Sequence, residues 1–87
     1  MQYADLTGDQ IKDQATTNLT NLKLLIVEII RRNPNINTTE IGRKLGIDAL
    51  TKRRGYIQYS ILKYMEADKA LSLSSEKVQG HRRWRLS

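Results

Sequence analysis

The stretch Asn37-Thr-Thr-Glu-Ile-Gly-Arg-Lys-Leu-Gly-Ile47 decides how the rest of the chain is read. Asn37 or Thr38 can cap a helix, and Glu40 stands where a capping-box carboxylate reaches back to a free backbone N–H. Ile41 and Leu45 are four apart, which makes one face of a short helix over 38–45 apolar. Gly42 lies between them, where a second helix must approach the backbone. Gly46 supplies the left-handed conformation that ends the helix sharply, and Ile47 returns to the core.

A long helical run follows and ends near Lys69. It starts either at Ala49, capped by Asp48, or at Tyr56 after an irregular loop; Gly55 inside a helix would cost about 1 kcal/mol against Ala. A short capped helix, a Gly turn and a longer second helix read as a helix-turn-helix. Advancing from Ile57, the residues Ile57, Ile61, Leu62 and Met65 share one broad arc, while Lys52, Tyr56, Tyr59 and Lys63 form the opposite stripe. Two tyrosines make a poor solvated face, so this stripe suits insertion into a groove better than mere solvation.

On the N-terminal side, Asn18 or Thr20 can cap a first helix. Leu19, Leu22, Leu25, Ile26, Ile29 and Ile30 recur at helical spacing, and Leu24 and Val27 widen the stripe, so burial on more than one side is expected. Glu28 should point outward. Arg31 and Arg32 suit the C-terminal dipole, and Asn33-Pro34 stops the helix. Ile36 can add a short strand to a sheet further on. Residues 1–18 read as a polar arm or short extra helix, in which Tyr3 and Leu6 could dock on the domain or on a second subunit. Asp5, Asp9 and Asp13 have i, i+4 spacing, but no Gly-turned calcium loop surrounds them, and no metal or cofactor is expected.

On the C-terminal side, Leu71-Ser-Leu-Ser74 alternates as a strand, Glu76-Lys-Val-Gln-Gly80 reads as a hairpin loop, and Arg82-Arg-Trp-Arg-Leu86 alternates again. Trp84 and Leu86 share one face, with Arg83 and Arg85 on the other. With no Phe in the chain, Trp84 reads as a core plug rather than a stacking platform.

These stretches resemble bacterial winged-helix DNA-binding domains. The run Thr-Thr-Glu-Ile-Gly-Arg-Lys-Leu-Gly-Ile over 38–47 is similar to the first half of their helix-turn-helix. The resemblance continues through Ile57 to Met65 and through Leu71–Ser74 to Arg83–Leu86, covering 19–87. About five extra residues, within Asp48 to Gly55, precede the expected recognition helix; this extended form resembles winged helices appended to some restriction endonucleases. The resemblance implies a mainly α fold with a small β-hairpin: a winged helix-turn-helix of three helices plus a wing over 19–87, preceded by the arm at 1–18.

The chain has 87 residues, 39% apolar, enough for one modest core. Without Cys, disulfides and Cys-based zinc sites are excluded. No apolar run is long enough for a membrane span and no signal peptide opens the sequence, so a cytoplasmic, nucleoid-associated location is expected. Net charge is +6, unevenly spread: residues 1–22 carry −2 and residues 23–87 carry +8. One basic cluster is Arg43, Lys44, Lys52, Arg53 and Arg54; the other is Lys77, Arg82, Arg83 and Arg85. Together they fit the electrostatic footprint of a polyanion partner, or on charge alone a solubilising surface.

The function expected is sequence-selective binding of double-stranded DNA, as a regulator or as the DNA-binding module of a larger protein. A recognition helix over about 50–69 would enter the major groove. Thr38 and Thr39 would hold a phosphate at the N-terminus of the second helix, with Arg43 and Lys44 adding backbone charge. Lys52, Arg53, Arg54, Tyr56, Gln58, Tyr59 and Lys63 would face bases and nearby phosphates. The wing, through Lys77, His81, Arg82 and Arg83, would track the backbone or minor groove. A second copy, or a larger nuclease or regulator, is the expected protein partner. Two alternatives stay open: a winged-helix protein-interaction module in a larger assembly, and a structured-RNA binder. No nucleophile–base pair, phosphate loop or ligand set marks an enzyme.

Overall fold

The computed structural model describes residues 3–47, 56–68 and 72–86. After a 3-10 turn at Tyr3–Asp5, the elements are α1 (Gly8–Arg32), β1 (Ile36–Asn37), α2 (Thr38–Leu45), α3 (Tyr56–Ala67), β2 (Leu73–Val78) and β3 (His81–Leu86). The described part is mainly helical, with one antiparallel sheet of order β1-β3-β2. No helix among the described residues is long and apolar enough to cross a membrane.

The cap of the first helix lies eleven residues before Asn18, the earlier of the two caps read from the sequence. Thr7 is its N-cap: the Thr7 hydroxyl accepts from the Gln10 N–H (3.2 Å), and the Thr7 N–H donates to Gln10 Oε1 (2.9 Å). This reciprocal capping box satisfies two otherwise orphaned donors, and Asp9 in the first turn favours the positive end of the dipole. The helix stops at Asn33, whose side-chain amide donates to the Ile29 carbonyl (2.8 Å), before Pro34 and a left-handed Asn35 (φ 65°). Glu28 faces outward and is held by hydrogen bonds from Arg31 and Arg32, which lower its carboxyl to about 2.

Burial on α1 is narrower than the apolar spacing suggests. Ile26 and Ile30 are buried, Leu22, Val27 and Ile29 pack partly against them, and Leu19, Leu24 and Leu25 are exposed. The body covers only one side of the helix and only its C-terminal half.

Helix α2 has the expected bounds. Asn37 Oδ1 accepts from the Glu40 N–H (2.8 Å), and Gly46 closes the helix in the left-handed region (φ 75°) while the Ile47 N–H donates to the Gly42 carbonyl (3.2 Å). With the Gly46 N–H donating to the Arg43 carbonyl (3.1 Å), this is a Schellman end. The expected capping box does not form here, because Glu40 turns its carboxylate to Arg43. Ile47 is half-buried.

The hairpin is tighter than expected. Glu76, Lys77 and Val78 belong to β2, and the turn is only Gln79-Gly80, both with positive φ (52° and 82°). Such a primed two-residue turn matches the twist of the strands it joins. Register pairs Leu73 with Leu86, Ser75 with Trp84 and Lys77 with Arg82, so these six lie on one face. On the other side of β3, Ile36 pairs with Trp84, completing the sheet as Ile36 suggested. The core is Ile26, Ile30, Ile36, Ile41, Leu62, Met65, Leu73 and Trp84.

Candidate functional site

Helix α3 is rotated relative to the arc read from the sequence. Gln58, Leu62 and Met65 form its buried side, Ile61 is half-buried, and Ile57 is exposed. Gln58 is therefore placed inside, fully buried, where its Nε2 donates to the Thr38 carbonyl (3.3 Å). It cannot read a base edge from that position. A carbonyl in the first turn of α2 needs no intrahelical exception to accept this bond, since a carbonyl has two lone pairs. Truncating Gln58 to Ala removes the donor and leaves a cavity. We expect a loss of about 2 kcal/mol, the low end for a large-to-small change at a buried site, measured as a lower urea midpoint at unchanged slope.

Thr38 was expected to hold a phosphate. Its hydroxyl instead accepts from the Trp84 indole N–H (2.9 Å), while its carbonyl takes Gln58. One residue thus ties the start of α2 to α3 and to β3. Thr39 beside it is half-buried. Arg43 and Lys44 are exposed at the other end of α2, with Arg43 paired to Glu40.

The solvent side of α3 carries Tyr59, Ser60, Lys63 and Tyr64. Tyr56 opens the helix. Lys52, Arg53 and Arg54 lie outside the described residues, as does the stretch of the expected recognition helix before Tyr56.

The wing residues divide. Lys77 and His81 are exposed near the turn. Arg82 is half-buried on the core-side face, where its guanidinium donates to Ser75 Oγ (2.9 Å), and the Ser75 hydroxyl donates to Glu66 near the end of α3. Lys63 closes the group with a 3.0 Å ion pair to Glu66. Arg83 is half-buried and donates to the Asn35 carbonyl (3.3 Å). Neither arginine is displayed freely at a hairpin tip. Glu66 and Ser75 did not stand out in the sequence; the signal was the period-two phase that puts Ser75 on the side of Leu73.

The Ser75 hydroxyl, then Lys63 and the nearby Arg82 charge, hold the Glu66 carboxyl below its usual range against the opposing effect of burial. A depressed folded-state pKa contributes stability above the unfolded-state value and loses it as pH falls through the folded one. We expect the Glu66 side-chain carbon to titrate below an ordinary glutamate in an NMR pH series, and Ser75→Ala to move its midpoint upward. An unshifted midpoint in the parent would mean the network is absent in solution.

Compared with family models, curated proteins and solved structures, the chain finds no match. Its class rests on its own architecture: a small α+β protein, mainly helical, whose three-stranded sheet closes one end of the core. Among the described residues no group of three or more His, Cys, Asp or Glu could hold a metal ion.

Proposed function

We propose that the chain is a winged helix-turn-helix that binds double-stranded DNA, with the solvent side of α3 in the major groove and the β2–β3 hairpin on the adjoining backbone. The observation that carries this reading is the division of α3. One side buries Gln58, Leu62 and Met65, and the other exposes Tyr59 and Lys63, in a chain whose residues 23–87 hold +8. The order of helix, short strand, two helices and hairpin, with β1 joined to β3, supports the winged-helix reading.

Charge placement supports it further. Glu28, Glu40 and Glu66 are already paired within the protein, so they do little to offset cations such as Lys44 and Lys77. Lys77 also stands directly opposite Arg82. Like charges opposed across strands destabilise a hairpin, and a phosphate beside them would relieve that cost.

The test is anisotropy of a labelled duplex, with duplex RNA and single strands as competitors. Duplex DNA should compete best. Selection from random duplexes would then give a preferred site. On it, Arg53→Ala or Arg54→Ala should cost about 1–3 kcal/mol and relax one base position, whereas Lys77→Ala should weaken all duplexes alike. Equal competition by duplex RNA would favour the RNA reading, and no binding to any of them would favour a protein partner.

A further inference from the structure

Helix α1 is longer than the body it packs on. From Gly8 to Asn21 every residue except Gln14 is exposed, and only Ile26 and Ile30 further on are buried. A helix solvated on all sides gains nothing from packing, and packing of an apolar face is what stabilises most helices in proteins.

Leu24 is exposed on the far side of the helix, but a set of residues on one side follows a regular spacing. Ile11, Ala15, Asn18, Leu22, Leu25 and Ile29 recur at steps of four and three, the seam of a coiled coil. This seam lies roughly 80° round the helix from the Ile26–Ile30 side. Ile11 is 52% and Leu25 58% exposed, while Leu22 and Ile29 are half-buried at the edge of the core. Leu19, also exposed, continues the Ile26–Ile30 side and lines an open hollow with Lys23, Ile61 and Tyr64.

Charge selects the occupant. The N-terminal end carries Asp5, Asp9 and Asp13, and the C-terminal end carries Arg31 and Arg32. Two parallel copies would stack acid on acid and base on base. Two antiparallel copies place opposite charges together and oppose their dipoles. With a two-fold axis level with Thr20, Ile11 meets Ile29 and the small Ala15 meets Leu25; Asp9, Asp13 and Arg31 lie on the outer side of each helix, so the opposed charges act between helix ends and not as contact pairs. Asn18, the one polar residue of the seam, then meets Leu22 of the other copy near the axis.

We propose that the chain forms a homodimer in which α1 packs antiparallel on α1 of a second copy along the Ile11–Ile29 seam, an overlap of about 27 Å. This stands apart from the DNA reading and does not depend on it.

Sedimentation equilibrium of the full chain should show a dimer. Leu25→Glu, and separately Ile11→Glu, should give a monomer with the far-ultraviolet spectrum of a folded protein, since both side chains lie outside the core. Orientation is read with single cysteines, which the parent lacks. Ala15→Cys and Leu25→Cys face each other in the antiparallel pair, so the two variant chains, mixed under mild oxidation, should cross-link to one another; Ile11→Cys alone should not cross-link to itself. A monomeric parent at NMR concentrations, or a dimer that survives both glutamates, overturns the proposal. So does an Ile11→Cys chain that cross-links to itself, because that requires parallel helices.

Discussion

Replacing Trp84 with alanine is expected to destabilise the fold by about 3–5 kcal/mol, the range for large aromatic truncations in a core. Trp84 is fully buried, sits on the central strand and pairs across to both Ile36 and Ser75. Its indole N–H also donates to Thr38, so the ring fixes where α2 begins. A marginally stable small domain can lose most of its stability from a change of this size. Trp84→Phe should cost less, because it keeps the ring and gives up the hydrogen bond. Urea unfolding of the three proteins is the measurement, and a shift under about 1 kcal/mol for the alanine variant would refute the core assignment.

The salt dependence of the proposed DNA complex should be steep. With five to eight phosphates neutralised, log K should fall against log salt with a slope of about −4.5 to −7, or roughly three to four decades between 50 and 200 mM. On that proposal, the exposed cations would supply it. Lys44 and Lys77 are exposed. Arg43 and Lys63 sit in surface pairs with Glu40 and Glu66; such pairs are worth about 0–1 kcal/mol and exchange readily for phosphate. Arg82 and Arg83 are held by Ser75 and by the Asn35 carbonyl. If they stay so, the slope lies near the shallow end, and Arg82→Ala changes wing stability more than it changes the slope. A flat dependence would sink the backbone-dominated complex altogether.

How far the sequence could be read depended on whether local signals sufficed. Helix α2 was legible because both its ends are set by nearby residues, Asn37 and Gly46. The place of Ile36 in the sheet and of Trp84 in the core also followed from phase. The start of α1 was missed because Ile11 is the one large apolar residue in 8–18 and the seam there runs on through the small Ala15 and the polar Asn18; the available clue was Thr7 with Gln10 three residues on. The face of α3 was misjudged by one position. Ile57 is the more apolar residue, but the core position goes to Gln58, which meets a carbonyl twenty residues away. No window on α3 contains that partner. The bonds of Arg82 and Arg83 depend on tertiary neighbours in the same way. The basic residues Lys52, Arg53 and Arg54 lie outside the described residues, so their roles rest on the sequence and the resemblance.

The sheet order has a consequence for the folding route. β3 is the middle strand, yet its edge partner β1 lies nearly fifty residues earlier. The β2–β3 hairpin is local and closes within microseconds. Docking it beside β1 requires closing a long loop before Trp84 gains its contacts, and such non-local steps set the barrier. Our hypothesis is that the last event in folding is the seating of a preformed hairpin onto α1 and α2. Stopped-flow measurements would then show substitutions at Ile36 acting mainly on the unfolding rate, and those at the Gln79-Gly80 turn acting mainly on the folding rate. The reverse pattern would mean that β1 is already paired when the barrier is crossed.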